Sequence, residues 1–315
     1  MPTSAVRTFS DPDEYATSIR ATKAEVTVTG RGEFAAKLVR VDLHRLWMQR
    51  FFDNLPRIGH SAGTGERVSF SFRTAPGPSL LWGGVEMRTA DIVRHGGAES
   101  TFQRSSGSAS WGAMSLPLAE AVVLLEIAAG LDLTPPREAL MITPPPTAMD
   151  RLQGLHAAAG HLAEFAPEII ANPDASRGLE YALIEAMVDC LGRGPERAGG
   201  LAVGQHAVVM RRFRRIVEEN PEKPLYIAEI CNAIRVSSRT LQTCCREHLG
   251  MAPKRYLLLR RMHLARRALR AAAPDTASVT NIATRYGFWQ LGRFAGEYQA
   301  LFGEPPSATL RGQPD

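Results

Sequence analysis

Residues 225–253 read LYIAEICNAIRVSSRTLQTCCREHLGMAP, and residues 279–306 read VTNIATRYGFWQLGRFAGEYQALFGEPP. Each stretch has a short apolar-periodic helix, a tight turn, a second helix carrying hydroxyl, amide or guanidinium side chains, and a Gly followed shortly by Pro that stops it. One pattern is therefore written twice. It is the outline of two helix-turn-helix units, whose second helix enters a DNA major groove.

Within the first unit, Ile227, Ile230, Cys231 and Ile234 form the apolar face of the leading helix. Ser237 is placed to cap the next helix. There Leu241 and Cys245 point inward and Cys244 is intermediate, while Ser238, Arg239, Gln242, Thr243 and Arg246 point out. Arg forks onto guanine O6 and N7 and Gln onto adenine N6 and N7, so these are base-reading candidates. A polar outer helix face alone is ordinary; its recurrence in the second unit argues against coincidence. There Val279, Ile282, Ala283 and Tyr286 face inward, Gly287 makes the turn, and Leu291, Phe294, Tyr298, Leu301 and Phe302 line the apolar side of the second helix. Gln290 and Arg293 point out, with Gly292 and Gly296 letting the backbone approach a strand.

Residues 253–272, PKRYLLLRRMHLARRALRAA, predict one helix with Pro at its start. At about 1.5 Å per residue it spans roughly 30 Å, near the separation of successive major-groove faces. Ser237, Arg255, Arg260, Arg261 and Arg266 are the candidates for phosphate contacts, which position without specifying.

Charge agrees with this division. Residues 205–315 hold 18 Lys and Arg against 9 Asp and Glu; residues 1–204 hold the other 19 against 23. A basic module is thus joined to a mildly acidic one. Lysine occurs only at Lys23, Lys37, Lys223 and Lys254, so a general preference for Arg is also present, yet it does not explain the uneven net charge.

From about Lys23 to Leu116 the chain alternates short strand-like runs, KAEVTVTG, AAKLVRVDL, RLWMQRFF, RVSFSF, SLLWGG, DIVRH and STFQR, with turn clusters. They predict a small antiparallel barrel or sandwich. Three apolar-periodic helices follow, PLAEAVVLLEIAAG, AMDRLQGLHAAAGHLAEFAPEII and SRGLEYALIEAMVDCLGR. The expected organisation is α+β: a first domain over 1–191, a linker over 192–204, and an all-α domain over 205–315.

Enzyme chemistry finds no foothold. His44, His60 and His95 are isolated, and His156 and His161 lie five apart, off a shared helix face; no G-x-S-x-G, H-E-x-x-H, P-loop or dinucleotide fingerprint occurs. No metal and no cofactor are expected. Trp47, Phe70, Trp82 and Trp111 are candidates to line a ligand pocket, although core packing is the commoner role of such aromatics. Cys190, Cys231, Cys244 and Cys245 lack metal or disulfide spacing and read as reduced, mostly buried thiols. The run Leu118 to Leu131 is too short for a bilayer and carries Glu120 and Glu126, and the first residues do not resemble a signal peptide, so a cytoplasmic location is expected.

On the strength of IATRYGFWQLGRFAGEYQALFGEPPSATLR and VSSRTLQTCCREHLGMAPKRYLLLRRMHLARRAL, residues 205–312 resemble the AraC/XylS family of bacterial transcription regulators. The GFWQLGRF wording is most similar to the branch that includes the ethanolamine-utilisation operon regulator. The resemblance implies base contacts from Arg239, Gln242 and Thr243 and from the outward positions after Gly287 and Phe288. It implies a cupin-like effector and dimerisation domain ahead of them. The partners implied are duplex DNA, a small-molecule effector, RNA polymerase and a second copy. The chain departs from the family where Cys245 replaces Phe and where Ile234 and Arg235 occupy a turn that favours Gly. A barrel enzyme with an accessory DNA module, and a sequence-indifferent architectural protein, are the alternatives.

Overall fold

The computed structural model describes residues 1–96, 100–121, 136, 139–193, 196–197, 205–220 and 222–312. The described strands hydrogen-bond into two antiparallel sheets, and no ladder among them joins the two into a closed ring. One sheet has eight strands. Its centre is β3 (Ala36–Asp42), β4 (Trp47–Asp53), β11 (Ala109–Pro117) and β6 (Arg67–Arg73), flanked by β1 (Thr3–Phe9) on one side and by β9 (Ile92–Arg94), β12 (Leu140–Ile142) and β13 (Glu196–Arg197) on the other. The other sheet runs β2 (Thr22–Val28), β5 (Arg57–Gly63), β10 (Ser100–Ser105), β7 (Leu80–Trp82), β8 (Val85–Glu86). Since β13 lies within the expected linker, part of that stretch is pinned to the sheet by the pairing of Met141 with Arg197.

Alternation of side chains along each strand gives the large sheet two apolar faces. One packs Met48, Phe70, Phe72 and Met114 against α2 (Pro146–Phe165) and α4 (Pro173–Arg193), whose Met149, Leu152, Leu183 and Met187 form the stripe read from their period. A short helix, α3 (Pro167–Ala171), bridges them. The other face, carrying Leu38, Phe51 and Trp111, looks toward β2 and toward α1 (Pro12–Thr17), which Asp11 caps by accepting from the amides of Asp13 and Glu14. Of the segment PLAEAVVLLEIAAG, residues 122–130 lie outside the described residues.

The C-terminal domain consists of α5 (Gln205–Glu219), α6 (Ile227–Ile234), α7 (Ser238–Leu249), α8 (Pro253–Ala271), α9 (Val279–Arg285), α10 (Leu291–Phe302) and α11 (Pro306–Arg311). It docks on the second sheet. Ile58 and Phe102 from β5 and β10 enter the same cluster as Phe213, Leu249 and Tyr256, with the Phe102 ring 6.2 Å from Phe213 and 5.9 Å from Tyr256.

Candidate nucleic-acid interface and interior cavity

The two helix-turn-helix units close around separate cores. Ile230, Ile234, Leu241, Cys244 and Cys245 bury in the first; Ala283, Tyr286, Phe288, Phe294 and Tyr298 bury in the second, with α8 contributing to both. Cys244 is fully buried where the periodicity predicts an intermediate position, because α7 packs on both α5 and α8. Leu291, expected inside, is 37% exposed; it is the first residue of α10 and precedes the turn that reaches the core.

Ser237 caps α7 by accepting from the Thr240 amide at 3.0 Å, and its hydroxyl lies 2.8 Å from that of Thr240. Its hydroxyl is therefore engaged in the cap. Ser238, Arg239, Thr243 and Arg246 are exposed on α7, and Gln242 is half-buried. Gln290, Gly292, Arg293 and Gly296 are exposed along α10, and the Arg293 guanidinium is held 2.9 Å from Glu297. Both sets of expected base-reading positions thus lie on open helix faces.

The phosphate candidates divide differently. Arg255 is exposed, as expected. Arg260 is not: it is 1% exposed and donates to the carbonyls of Asn220 at 2.5 Å and Lys223 at 2.9 Å, just beyond the end of α5. A cation there neutralises the negative end of that helix. Arg261 lies 5.1 Å over the Phe288 ring and donates to the Gly287 carbonyl at 3.4 Å, bracing the second turn. Arg266 is turned toward the first domain, pairing with Asp11 at 2.6 Å. Arg267 and Arg270 do the same with Glu25 and Glu14, at 3.0 and 2.9 Å. His263 completes the seam by donating from Nε2 to the Val28 carbonyl at 3.2 Å; burial pushes its pKa down to about 3. Half of α8's arginine face is therefore an interdomain contact, and Arg260, Arg261 and Arg266 are all engaged within the chain in this arrangement.

Between the two sheets lies a cavity of about 80 Å³. Trp82 and Trp111 line it, as do Tyr15, Phe51, Arg57 and Glu25. Trp47 and Phe70 do not. Trp47 sits beneath the Arg67 guanidinium at 3.8 Å, and Phe70 points the other way into the core under the helices. In the cavity wall, buried Arg57 pairs with buried Asp53 at 2.9 Å, and the indole N–H of Trp82 is buried without a hydrogen-bond partner among the described residues. Phe51 and Trp111 stack at 3.8 Å with an interplanar angle of 10°. His95, half-buried in the same wall, is held neutral, its pKa pushed down to about 4 by desolvation. Among the described residues no group of three or more His, Cys, Asp or Glu is placed to hold a metal ion, and no helix is long and apolar enough to cross a membrane.

The class these features define is a helix-turn-helix protein whose linking helix is docked on a second, two-sheet domain. Residues 230–312 match the family model described as a helix-turn-helix domain. Over 98 residues the chain is 43% identical to the probable thc operon regulatory protein of Rhodococcus erythropolis, covering 31% of this chain and 30% of that one. Over 100 residues it is 36% identical to the XylDLEGF operon transcriptional activator of Pseudomonas putida, covering 32% and 31%. The match thus spans about 30% of the length of these curated relatives. A crystal structure of the AraC-like transcriptional activator CuxR aligns over 84% of this chain and 95% of its own at 13% identity, with a TM-score of 0.43. The C-terminal third carries a helix-turn-helix domain, and the relatives matched there are named as operon regulators and transcriptional activators.

Proposed function

We propose that this protein is a sequence-specific DNA-binding transcription regulator whose first domain responds to a small molecule. The observation that carries the reading is the pair of open helix faces, Ser238 to Arg246 on α7 and Gln290 to Gly296 on α10, held on one scaffold by buried α8. At 19 residues, α8 spans roughly 28 Å, which suits entry of the two helices into successive major grooves. The cavity supports the second part: it opens between the sheets, is walled by aromatics, and bears a buried donor without a partner among the described residues. The exposed apolar side chains Phe165, Ile169 and Tyr181 on α2, α3 and α4 support self-association through those helices. The GFWQLGRF likeness to the ethanolamine-operon branch concerns the recognition module alone and gives the effector no chemistry.

The test is selection of duplexes from a randomised pool by the intact protein, followed by titration of the enriched sequence against a scrambled one. Discrimination of at least about a thousandfold supports the reading. Equal affinity for both duplexes favours an architectural protein instead. Ligand control is checked by screening small molecules for a rise in melting temperature of the full chain.

A further inference from the structure

The outward faces of the two recognition helices differ in kind. On α7 the exposed side chains are the hydrogen-bond donors Ser238, Arg239, Thr243 and Arg246, with the acidic Glu247 paired to His206. On α10 and its N-cap they are Gln290, Leu291, two glycines and Gln299, with Arg293 drawn to Glu297. Immediately before the N-cap Gln290 stands Trp289, 79% exposed, the most exposed large apolar side chain described apart from the terminal Met1. An indole left in water forgoes a large burial free energy, so such a side chain marks a surface that something covers.

Three observations say what covers it. Trp289 lies at the N-terminal end of α10, the end that touches base edges when such a helix enters a major groove. A Cβ built on Gly292 or Gly296 meets nothing among the described residues within 4 Å; Gly296 borders a groove shared with Thr29, Gly30 and Arg31, while Gly292, nearer Trp289, is outside that groove. The exposed cations Arg285 and Arg293 flank it, which suits a polyanion. In the major groove the apolar feature open to an aromatic or aliphatic side chain is the 5-methyl group of thymine.

We propose that Trp289, together with Leu291, reads thymine methyl groups in the half-site beneath α10. The first unit then recognises its bases by hydrogen-bond donors and the second by shape and apolar contact. This rests on the DNA-binding reading above.

The test uses the enriched duplex from the selection and the full-length chain. Trp289→Ala is expected to bind it at least about tenfold more weakly with an unchanged melting curve, while Trp289→Phe keeps most of the affinity. Replacing thymine by uracil in the footprint of the second unit removes only the methyl; it is expected to weaken the parent about fourfold per contacted base and to weaken Trp289→Ala by less, leaving the double variant Trp289→Ala, Leu291→Ala unaffected. Trp47, Trp82 and Trp111 are half-buried or buried, so a change in tryptophan emission on adding duplex reports chiefly on Trp289. If Trp289→Ala binds like the parent, or if it weakens binding while uracil changes nothing, methyl readout is wrong and the regulator reading stands. An emission change that follows protein concentration without DNA assigns the indole to self-association and also overturns the proposal. If the intact chain enriches no sequence at all, the regulator reading fails and takes this inference with it.

Discussion

Arg267 of α8 donates to Glu25 of β2 at 3.0 Å, and Glu25 also lines the interior cavity. Beside it Arg266 and Arg270 grip Asp11, which caps α1, and Tyr15 of α1 lines the same cavity. The helix linking the two recognition units is thus tied to two elements that a cavity occupant touches. Such a contact is the kind of element whose equilibrium a ligand can bias.

The acidic side of this seam is testable through Asp11. Asparagine caps a helix as well as aspartate does, so Asp11→Asn keeps α1 while removing the charge facing Arg266 and Arg270. Asp11 and Arg266 are both largely buried, and stranding a buried cation costs about 3 kcal/mol. Chemical denaturation is expected to show a loss of that order, whereas Asp174→Asn at the exposed start of α4 changes little. Equal stability of the two variants removes the seam as a coupling element.

His263 predicts an acid sensitivity. Its folded pKa of about 3 lies below the ordinary value near 6.5, so at intermediate pH the unfolded chain takes up a proton that the folded chain refuses. The stability contributed by neutral His263 is fully present above about pH 6.5 and is lost as pH falls toward 3, at about 1.4 kcal/mol per pH unit. His263→Gln keeps a donor for the Val28 carbonyl and does not titrate. The slope of unfolding free energy between pH 6 and 4 is expected to shrink by about that amount, with His156, pushed down to about 3, sustaining part of the remainder. Asp13, whose pKa burial raises to about 6, acts in the opposite sense in both proteins and cancels in the comparison.

Arg239 and Arg260 separate readout from architecture. Arg239 is exposed, and Arg239→Ala is expected to cost about 1–3 kcal/mol on the selected duplex and relax discrimination at one base position. Arg260 serves the carbonyls beyond α5, so Arg260→Ala is expected to lower folding stability by about 3 kcal/mol and leave the salt dependence of DNA binding unchanged. A fall of about one unit in the salt slope returns Arg260 to the phosphate contacts.

The contrast between these arginines marks where sequence reading stops. Helix bounds from Ile227 to Phe302 follow from local signals: Ser237 and Ser278 at N-caps, Gly250 and Gly303 in left-handed C-caps, and Pro253 in the first turn. Strand β5, RIGHSAG, carries no β-branched or aromatic run, and its pairing with β2 and β10 alone makes it a strand. The roles of Arg260 and Arg266 depend on which side of an arginine-rich helix the first domain covers. Asp11 lies 255 residues from Arg266, and nothing periodic links them. Likewise Trp47 and Trp111 are alike in sequence and project from one face of the sheet with Phe51, and distance along the strands, Trp47 lying four residues from Phe51 at the other end of β4, leaves Trp47 outside the cavity.

The two turns of the repeat supply the last prediction. Arg235 ends α6 at φ 56°, ψ 51°, one of two non-glycine residues with positive φ among those described. The corresponding residue of the second unit is Gly287, at φ +77°. An L residue held in the left-handed region costs about 1–2 kcal/mol, partly offset by the greater freedom glycine loses on folding. Arg235 is exposed, so Arg235→Gly gives up no buried packing and is expected to stabilise the chain by about 1 kcal/mol in thermal or denaturant unfolding. At Gly287 the balance reverses: an added Cβ would meet Arg261 Nη1 and the Tyr226 hydroxyl at 2.9 Å each, in a conformation that already disfavours it. Gly287→Ala is therefore expected to destabilise the second unit by more than Arg235→Gly stabilises the first. It is also expected to displace Trp289, two residues along, and so to weaken DNA binding. If Arg235→Gly destabilises instead, the Arg235 side chain contributes a contact worth more than the strain of its backbone.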